Sequence, residues 1–197
     1  MRCISMGLSA FGSALVLLLS LAPRLRAQTA ADWQVASHQI VRLTPSAFPE
    51  LPVAVRHELE RCNCRIPQLG PAFKSQRSNV VSGHFARPGQ RDWAVLCSRS
   101  DSSQVLLFWN GRTTDVKAWE PTADGSWLQT MGPGGIQYSQ YLAVADSASI
   151  VTYAREYGGQ LPPGPIAHDG LEMGFAAKAS SIAYWFNGRW YTLQGAD

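Results

Sequence analysis

Two Asn-Gly dipeptides, each between segments rich in β-branched and aromatic residues, constrain the fold more than any other feature of the sequence. Asn110-Gly111 lies between QVLLFW and RTTDVKAW, and Asn187-Gly188 lies between SSIAYWF and RWYTLQ. This dipeptide favours the two-residue turn with positive φ that closes a tight β-hairpin. The sequence therefore predicts two antiparallel hairpins, which are alike either through an old duplication or because both obey the same physical rules.

Three segments carry helical signals. The first spans residues 50–62, where apolar side chains share one face. The second begins near Ser147, a candidate N-cap, and stops at Gly158-Gly159. The third spans residues 170–179 and leads into the last hairpin. Together these signals predict the α+β class, with a single β-rich domain of antiparallel hairpins and two or three short helices.

The first 27 residues have the composition of a secretory signal peptide. Arg2 precedes the apolar segment FGSALVLLLSLA, and small residues near Ala27 suit a cleavage site. A membrane span needs about 20 apolar residues, so a retained anchor is the less favoured interpretation. We therefore expect an exported protein, periplasmic or secreted, without a stable membrane anchor after signal cleavage. Residues 28–197 are expected to form a single β-rich globular domain.

Loss of the leader changes the charge balance. The whole sequence has 17 Lys and Arg against 14 Asp and Glu. The leader contains Arg2, Arg24 and Arg26 and no acidic residue, so its removal leaves 14 basic and 14 acidic residues. A formally neutral chain without clusters of Lys and Arg interleaved with aromatic residues argues against nucleic acid as a partner.

The segment SGHFARPGQRDWAVLCS, residues 82–98, has the outline of a calcium-binding turn between two strands. It resembles the FG-GAP and VCBS repeats of β-propellers, in which alternate acidic or amide side chains hold Ca²⁺. The first three ligand positions carry His84, Ala86 and Pro88 here, and only Asp92 keeps a carboxylate. Since Ca²⁺ takes about six to eight oxygen ligands, the resemblance implies a strand, a turn and a strand without the ion. Asp92 is expected to hydrogen-bond the backbone instead.

A broader resemblance rests on the segments ERCNCRIPQ, DWAVLCSRSDSS and HDGLEMGFAAKASSIAYWFNGRW. Through them, most of residues 28–197 resemble a group of exported bacterial proteins of uncharacterised function. The resemblance implies a place in the envelope or outside the cell and carries no activity with it.

Three cysteines follow the leader. Neighbours at i and i+2 bridge each other only with strain, so in an oxidising compartment Cys97 should pair with Cys62 or Cys64. Cys64, just past the predicted helix, is the preferred partner, and closing that loop would stabilise the fold by about 3 to 4 kcal/mol. Cys62 is then either a buried apolar side chain or a thiol available for disulfide exchange or for an intermolecular bridge. Three cysteines without paired histidines do not form a zinc pattern, so no metal or cofactor is expected.

One cluster offers acid and base groups. His168, Asp169, Glu172 and Lys178 follow a Pro-rich connector. Histidine is the side chain that most readily changes charge near neutral pH, so His168 is the candidate proton carrier. The alternative is structural, since Asp169 and Glu172 have the spacing of a capping box at the start of the third predicted helix.

Aromatic side chains crowd the two hairpins. Trp109, Tyr184, Trp185 and Trp190, with Arg189, are the candidate residues of an aromatic platform. Alternate strand residues point to opposite faces, so these rings cannot all lie on one side. They form either a two-sided core or a surface that binds a partner.

The sequence favours an exported binding or interaction module without catalysis. Its partner would be an envelope protein, a peptide or a glycan. The alternative is a small periplasmic enzyme centred on His168 and Asp169.

Overall fold

The computed structural model describes residues 27–73 and 77–196. Residues 1–26, which carry most of the expected leader, lie outside these ranges. Three α-helices occur in the described ranges: α1 (Ala30–His38), α2 (Val53–Arg61) and α3 (Ser147–Tyr157). No helix within these ranges has both the length and the apolar character needed to cross a membrane.

Antiparallel strands form most of the remaining regular secondary structure. In chain order they are β1 (Arg42–Leu43), β2 (Ile66–Pro67), β3 (Val80–Gly83), β4 (Asp92–Arg99), β5 (Ser102–Phe108), β6 (Lys117–Ala118), β7 (Thr122–Ala123), β8 (Leu128–Thr130), β9 (Ile136–Tyr138), β10 (Gln140–Ala145), β11 (Gly170–Phe175), β12 (Ala179–Phe186) and β13 (Arg189–Gln194). The larger sheets have the orders β3-β4-β5-β6, with β7 also on β5, and β10-β11-β12-β13. The predicted single β-rich α+β domain is confirmed.

The second Asn-Gly dipeptide closes the hairpin that was predicted. Phe186 pairs with Arg189, so Asn187 and Gly188 alone form the turn between β12 and β13. Their φ angles are 49° and 79°, the left-handed values that such a turn requires.

The prediction of a tight hairpin at Asn110-Gly111 is wrong. Both residues have positive φ, 48° and 66°, but β5 next pairs with β6, where Leu107 faces Lys117. A loop of residues 109–116 therefore separates the two strands. Position 111 requires glycine, because φ is positive there and an added Cβ would lie 2.9 Å from Pro52 Cγ.

The predicted helices have different outcomes. The helix over residues 50–62 is confirmed as α2. The second is confirmed as α3, but its N-cap is Asp146, whose carboxylate accepts a hydrogen bond from Ser149 N at 2.7 Å, and not Ser147. The third is wrong, because residues 170–175 form β11 between β10 and β12. The capping box of Asp169 and Glu172 therefore does not exist.

Apolar side chains occupy three layers. The central cluster takes residues from both larger sheets, including Leu96, Leu107 and Leu171. A second cluster packs α2 against the outer face of β4 and β5, and a third packs α3 against β12 and β13. Alternation along β12 divides its residues, with Ala183 in the central cluster and Tyr184 in the cluster below α3.

The disulfide lies in the second layer. Cys64 is bonded to Cys97, with their Cα atoms 5.3 Å apart, which confirms the preferred pairing. The bond ties the segment after α2 to the middle of β4.

A buried ionic network holds β1 against the five-stranded sheet. Asp124 is fully buried, and its Oδ2 accepts from Arg42 Nη2 at 2.6 Å and from Ser98 Oγ at 2.6 Å. Its Oδ1 accepts from Ser103 Oγ. The charge of Asp124 is thus matched by one guanidinium and two hydroxyls, the condition for burying a carboxylate without a large loss of stability.

Candidate functional site

Three of the predicted platform residues come together from separate parts of the chain. Trp185 and Trp190 are a cross-strand pair of the last hairpin, and Trp109 begins the loop after β5. The centroid of the Trp109 ring lies 5.8 Å from that of Trp185 and 5.7 Å from that of Trp190. Trp119 joins them from beyond β6, with its centroid 5.1 Å from that of Trp190.

These rings border a surface groove with a volume of about 430 Å³. We call it the indole groove and define it by its lining residues: Ala86, Trp109, Asp115, Val116, Lys117, Trp185 and Trp190. Each lining residue is half-buried or exposed. Trp109, Trp119 and Trp190 also pack against the central apolar cluster, so the cluster of indoles is continuous with the core on one side and open on the other.

The indole nitrogens of the cluster remain free to donate. Within the described part of the chain, Trp127 Nε1 is the one buried side-chain nitrogen or oxygen without a hydrogen-bond partner. Trp109, Trp119, Trp185 and Trp190 make no indole hydrogen bond there either, so their N–H groups are not buried and contact solvent. An indole N–H is a donor only, so a ligand that reaches any of these groups meets a donor and not an acceptor.

Two charged side chains lie on the rim. Lys117 Nζ is 5.2 Å from the centroid of the Trp119 ring, a cation–π contact that keeps the ammonium beside the groove. Asp115 is exposed, and its carboxylate has neither a hydrogen bond nor an ion pair with the described residues. The rim thus combines one positive and one negative group.

The turn that resembles a calcium loop forms part of this site. Asp92 is fully buried, and its carboxylate accepts hydrogen bonds from Ala86 N at 2.9 Å, Asn110 N at 2.8 Å and Gln90 Nε2 at 2.8 Å. Ala86 lines the indole groove and Asn110 follows Trp109. The strand, turn and strand run from β3 to β4, and Asp92 bonds the backbone as expected, which positions two walls of the groove.

A second carboxylate, that of Asp169, also bonds the turn. Asp169 Oδ2 accepts a hydrogen bond from His84 N at 2.8 Å and lies 3.6 Å from His84 Nδ1. No group of three or more His, Cys, Asp or Glu side chains among residues 27–73 and 77–196 is placed to hold a metal ion.

Tyr184 and Arg189 were predicted to belong to the aromatic platform, but they lie apart from the three indoles. Tyr184 is fully buried on the α3 side of β12, and its hydroxyl accepts from Ala167 N at 3.2 Å. Arg189 lies on that same side, with its guanidinium 5.2 Å from the centroid of the Tyr191 ring. Alternation along the strands explains both positions, since Trp185 and Trp190 project from the other face.

The four residues of the alternative enzyme site contact different parts of the structure. The His168 ring stacks on Tyr184 at 4.4 Å between centroids, whereas the Asp169 carboxylate bonds the turn at His84. Glu172 is buried in β11, and Lys178 Nζ lies 5.0 Å from the centroid of the Phe175 ring. Among the described residues, no hydrogen bond or ion pair joins the side chain of one of these four residues to that of another, although His168 Nδ1 lies 3.0 Å from the backbone oxygen of Asp169.

Glu172 has partners that the sequence did not reveal. Its Oε1 accepts from Tyr141 Oη at 2.5 Å and from Ser180 Oγ at 2.7 Å, so two strands supply hydroxyls to one buried carboxylate. Burial, together with the hydrogen bond to Glu172, raises the pKa of Tyr141 above its ordinary value of 10.0.

Cys62 is the free thiol of the described chain and is half-buried at the end of α2. Its Sγ lies 3.4 Å from Glu58 Oε1 and 3.6 Å from Arg61 Nη2. Both Cys62 and the bonded Cys97 line a small cavity of about 170 Å³ whose other walls are mainly apolar. Thiol exchange at Cys62 stays a hypothesis. Its burial is only partial, and its sulfur contacts the charged side chains of Glu58 and Arg61.

Comparison with known proteins adds no family to this description: no family model, curated protein or solved structure matches the chain.

Proposed function

We propose that the protein is an exported binding module that engages its ligand through the indole groove. The observation that carries the proposal is the convergence of Trp109, Trp185 and Trp190 on one open groove of about 430 Å³. Tryptophan supplies a large, rigid contact surface with few rotatable bonds, which is why it is enriched at binding sites. Volumes of about 300 to 1,000 Å³ are usual for small-ligand sites.

Export is part of the proposal. The leader predicted over residues 1–27 and the disulfide between Cys64 and Cys97 support it, because disulfides persist in oxidising compartments outside the cytoplasm. A partner in the envelope or in the surrounding medium is then the natural ligand.

Binding without catalysis fits the composition of the groove. Its two ionisable groups, Asp115 and Lys117, lie on the rim beside solvent, whereas catalytic acids and bases usually lie in a cleft, partly buried beside a specific charged partner. The remaining lining is indole and aliphatic surface, which suits contact.

The test is capture from the organism's own envelope extract by the immobilised protein, with bound material analysed for both carbohydrate and protein. Trp185→Ala should lose the captured material. Trp33→Ala is the matched control, because Trp33 lies on α1, is 36% exposed and does not line the groove. Equal capture by the wild type and a folded Trp185→Ala variant would contradict the proposal.

A further inference from the structure

We infer that the ligand of the indole groove is a carbohydrate with neutral, hydroxylated rings. This inference rests on the proposed function and goes beyond it by naming the ligand class. The inference rests on three properties of the groove: its walls are flat and apolar, its rim carries both a hydrogen-bond donor and an acceptor, and its shape is open.

The walls match the two-sided character of a sugar ring. A pyranose presents C–H groups on its faces and hydroxyls around its edge. Trp185 and Trp190, with ring planes inclined at 58°, and Trp109, inclined at 22° to Trp190, offer flat surfaces of more than one orientation. A sugar face that covers one indole buries apolar area while its hydroxyls stay at the rim, where they can be hydrogen-bonded.

The polar groups favour hydroxyls over ions. Lys117 donates and the Asp115 carboxylate accepts. A hydroxyl does both, so one sugar satisfies both groups. A charged ligand would instead approach one rim charge of its own sign, because Asp115 and Lys117 have opposite charges two residues apart.

The open shape suits part of a longer chain. Each lining residue is half-buried or exposed, so a ligand can enter from the side and extend beyond the groove. An oligosaccharide therefore fits better than a small molecule that must be fully enclosed.

A proline-rich peptide is the main competitor, because such segments dock on grooves lined by aromatic residues. Proline has no backbone N–H, so a proline-rich ligand has few donors for the free carboxylate of Asp115.

The test is isothermal titration of the purified protein with a defined panel: cellotetraose, chitotetraose, mannotetraose, xylotetraose, maltotetraose and decaproline. We expect saturable binding of at least one oligosaccharide and none of decaproline. Trp185→Ala should weaken that binding about tenfold or more. Asp115→Asn should weaken it about threefold to tenfold, through loss of a charged acceptor. Trp33→Ala should bind as the wild type does.

Two outcomes overturn the inference and separate it from the proposed function. If decaproline alone binds, and Trp185→Ala abolishes its binding, the carbohydrate assignment is wrong and the binding function stands. If no panel member binds in a way that depends on Trp185 or Asp115, the assignment is wrong as well. Capture from the envelope extract then decides whether the binding function falls with it. Asp115 is exposed and unpaired among the described residues, so Asp115→Asn remains informative even if Trp185→Ala fails to fold.

Discussion

Trp185 and Trp190 face each other across the hairpin that Asn187 and Gly188 close, with their ring centroids 5.2 Å apart. The turn fixes the register of β12 and β13, and the register places both indoles on the face that meets Trp109. The geometry of the groove therefore depends on a two-residue turn that does not itself line the groove.

Gly188→Ala should lower the free energy of unfolding by about 1 kcal/mol, since the residue has a φ of 79° and an alanine pays for that left-handed conformation. No heavy atom lies within 4 Å of the position that its Cβ would take, so the cost is in the backbone alone. Urea denaturation measures it. Gly125→Ala is the matched control, because its nearest contact would be 3.7 Å from Ser37 Oγ without positive φ. Equal stability loss in both variants would contradict the role of the turn.

Asp92→Ala should lower the free energy of unfolding by about 2 to 4 kcal/mol and weaken ligand binding. The substitution leaves the N–H groups of Ala86 and Asn110 without their acceptor. Asp92→Asn keeps one acceptor oxygen, so its free energy of unfolding should lie between those of the wild type and Asp92→Ala. Thermal melts with Ca²⁺ and with a chelator should coincide. A melting temperature that rises with Ca²⁺ would show instead that the turn holds the ion.

Asp124→Asn should cost about 3 kcal/mol or more, because it removes the charge that compensates the guanidinium of Arg42 in a buried setting. Asp101→Asn is the matched comparison. Asp101 contacts the same Arg42 at 2.9 Å, but its side chain is 76% exposed, and an exposed pair contributes less than about 1 kcal/mol. Chemical denaturation of the two variants side by side gives the difference. Equal losses would mean that burial of Asp124 does not determine its contribution.

Stability should decline at alkaline pH in part through Tyr141. Its pKa is raised in the folded protein above 10.0, chiefly by burial. Below the ordinary pKa of 10.0 the phenol is protonated in both the folded and the unfolded protein, so the full stability is present. As the pH rises past that value, the unfolded chain loses the proton first, and the free energy of unfolding falls. Tyr141→Phe should show a shallower decline, at a cost near pH 7 of about 1 kcal/mol for the hydrogen bond to Glu172. Parallel alkaline profiles of variant and wild type would contradict this assignment.

Local patterns predicted the features that depend on neighbours in the sequence. Asn187-Gly188 identified its turn, the apolar face of residues 50–62 identified α2, and the spacing of three cysteines favoured the bond that forms. α1 was missed although its signal was present, since Thr29 and Asp32 form a capping box.

Features that depend on distant contacts were not predictable in this way. Residues 170–179 were predicted to form a helix, and the spacing of Asp169 and Glu172 was interpreted as its capping box. Their actual partners, His84 for Asp169 and Tyr141 for Glu172, come from other elements. The meeting of Trp109 with Trp185 likewise depends on how the two larger sheets pack, and no local pattern records it.

The most direct test of the binding groove uses the indole N–H resonances of the seven tryptophans, followed by NMR during titration with the oligosaccharide that binds most tightly. The signals of Trp109, Trp185 and Trp190 should shift with saturation, while those of Trp33 and Trp127 should stay in place. Saturable binding that leaves the three groove signals unmoved would contradict binding in the groove.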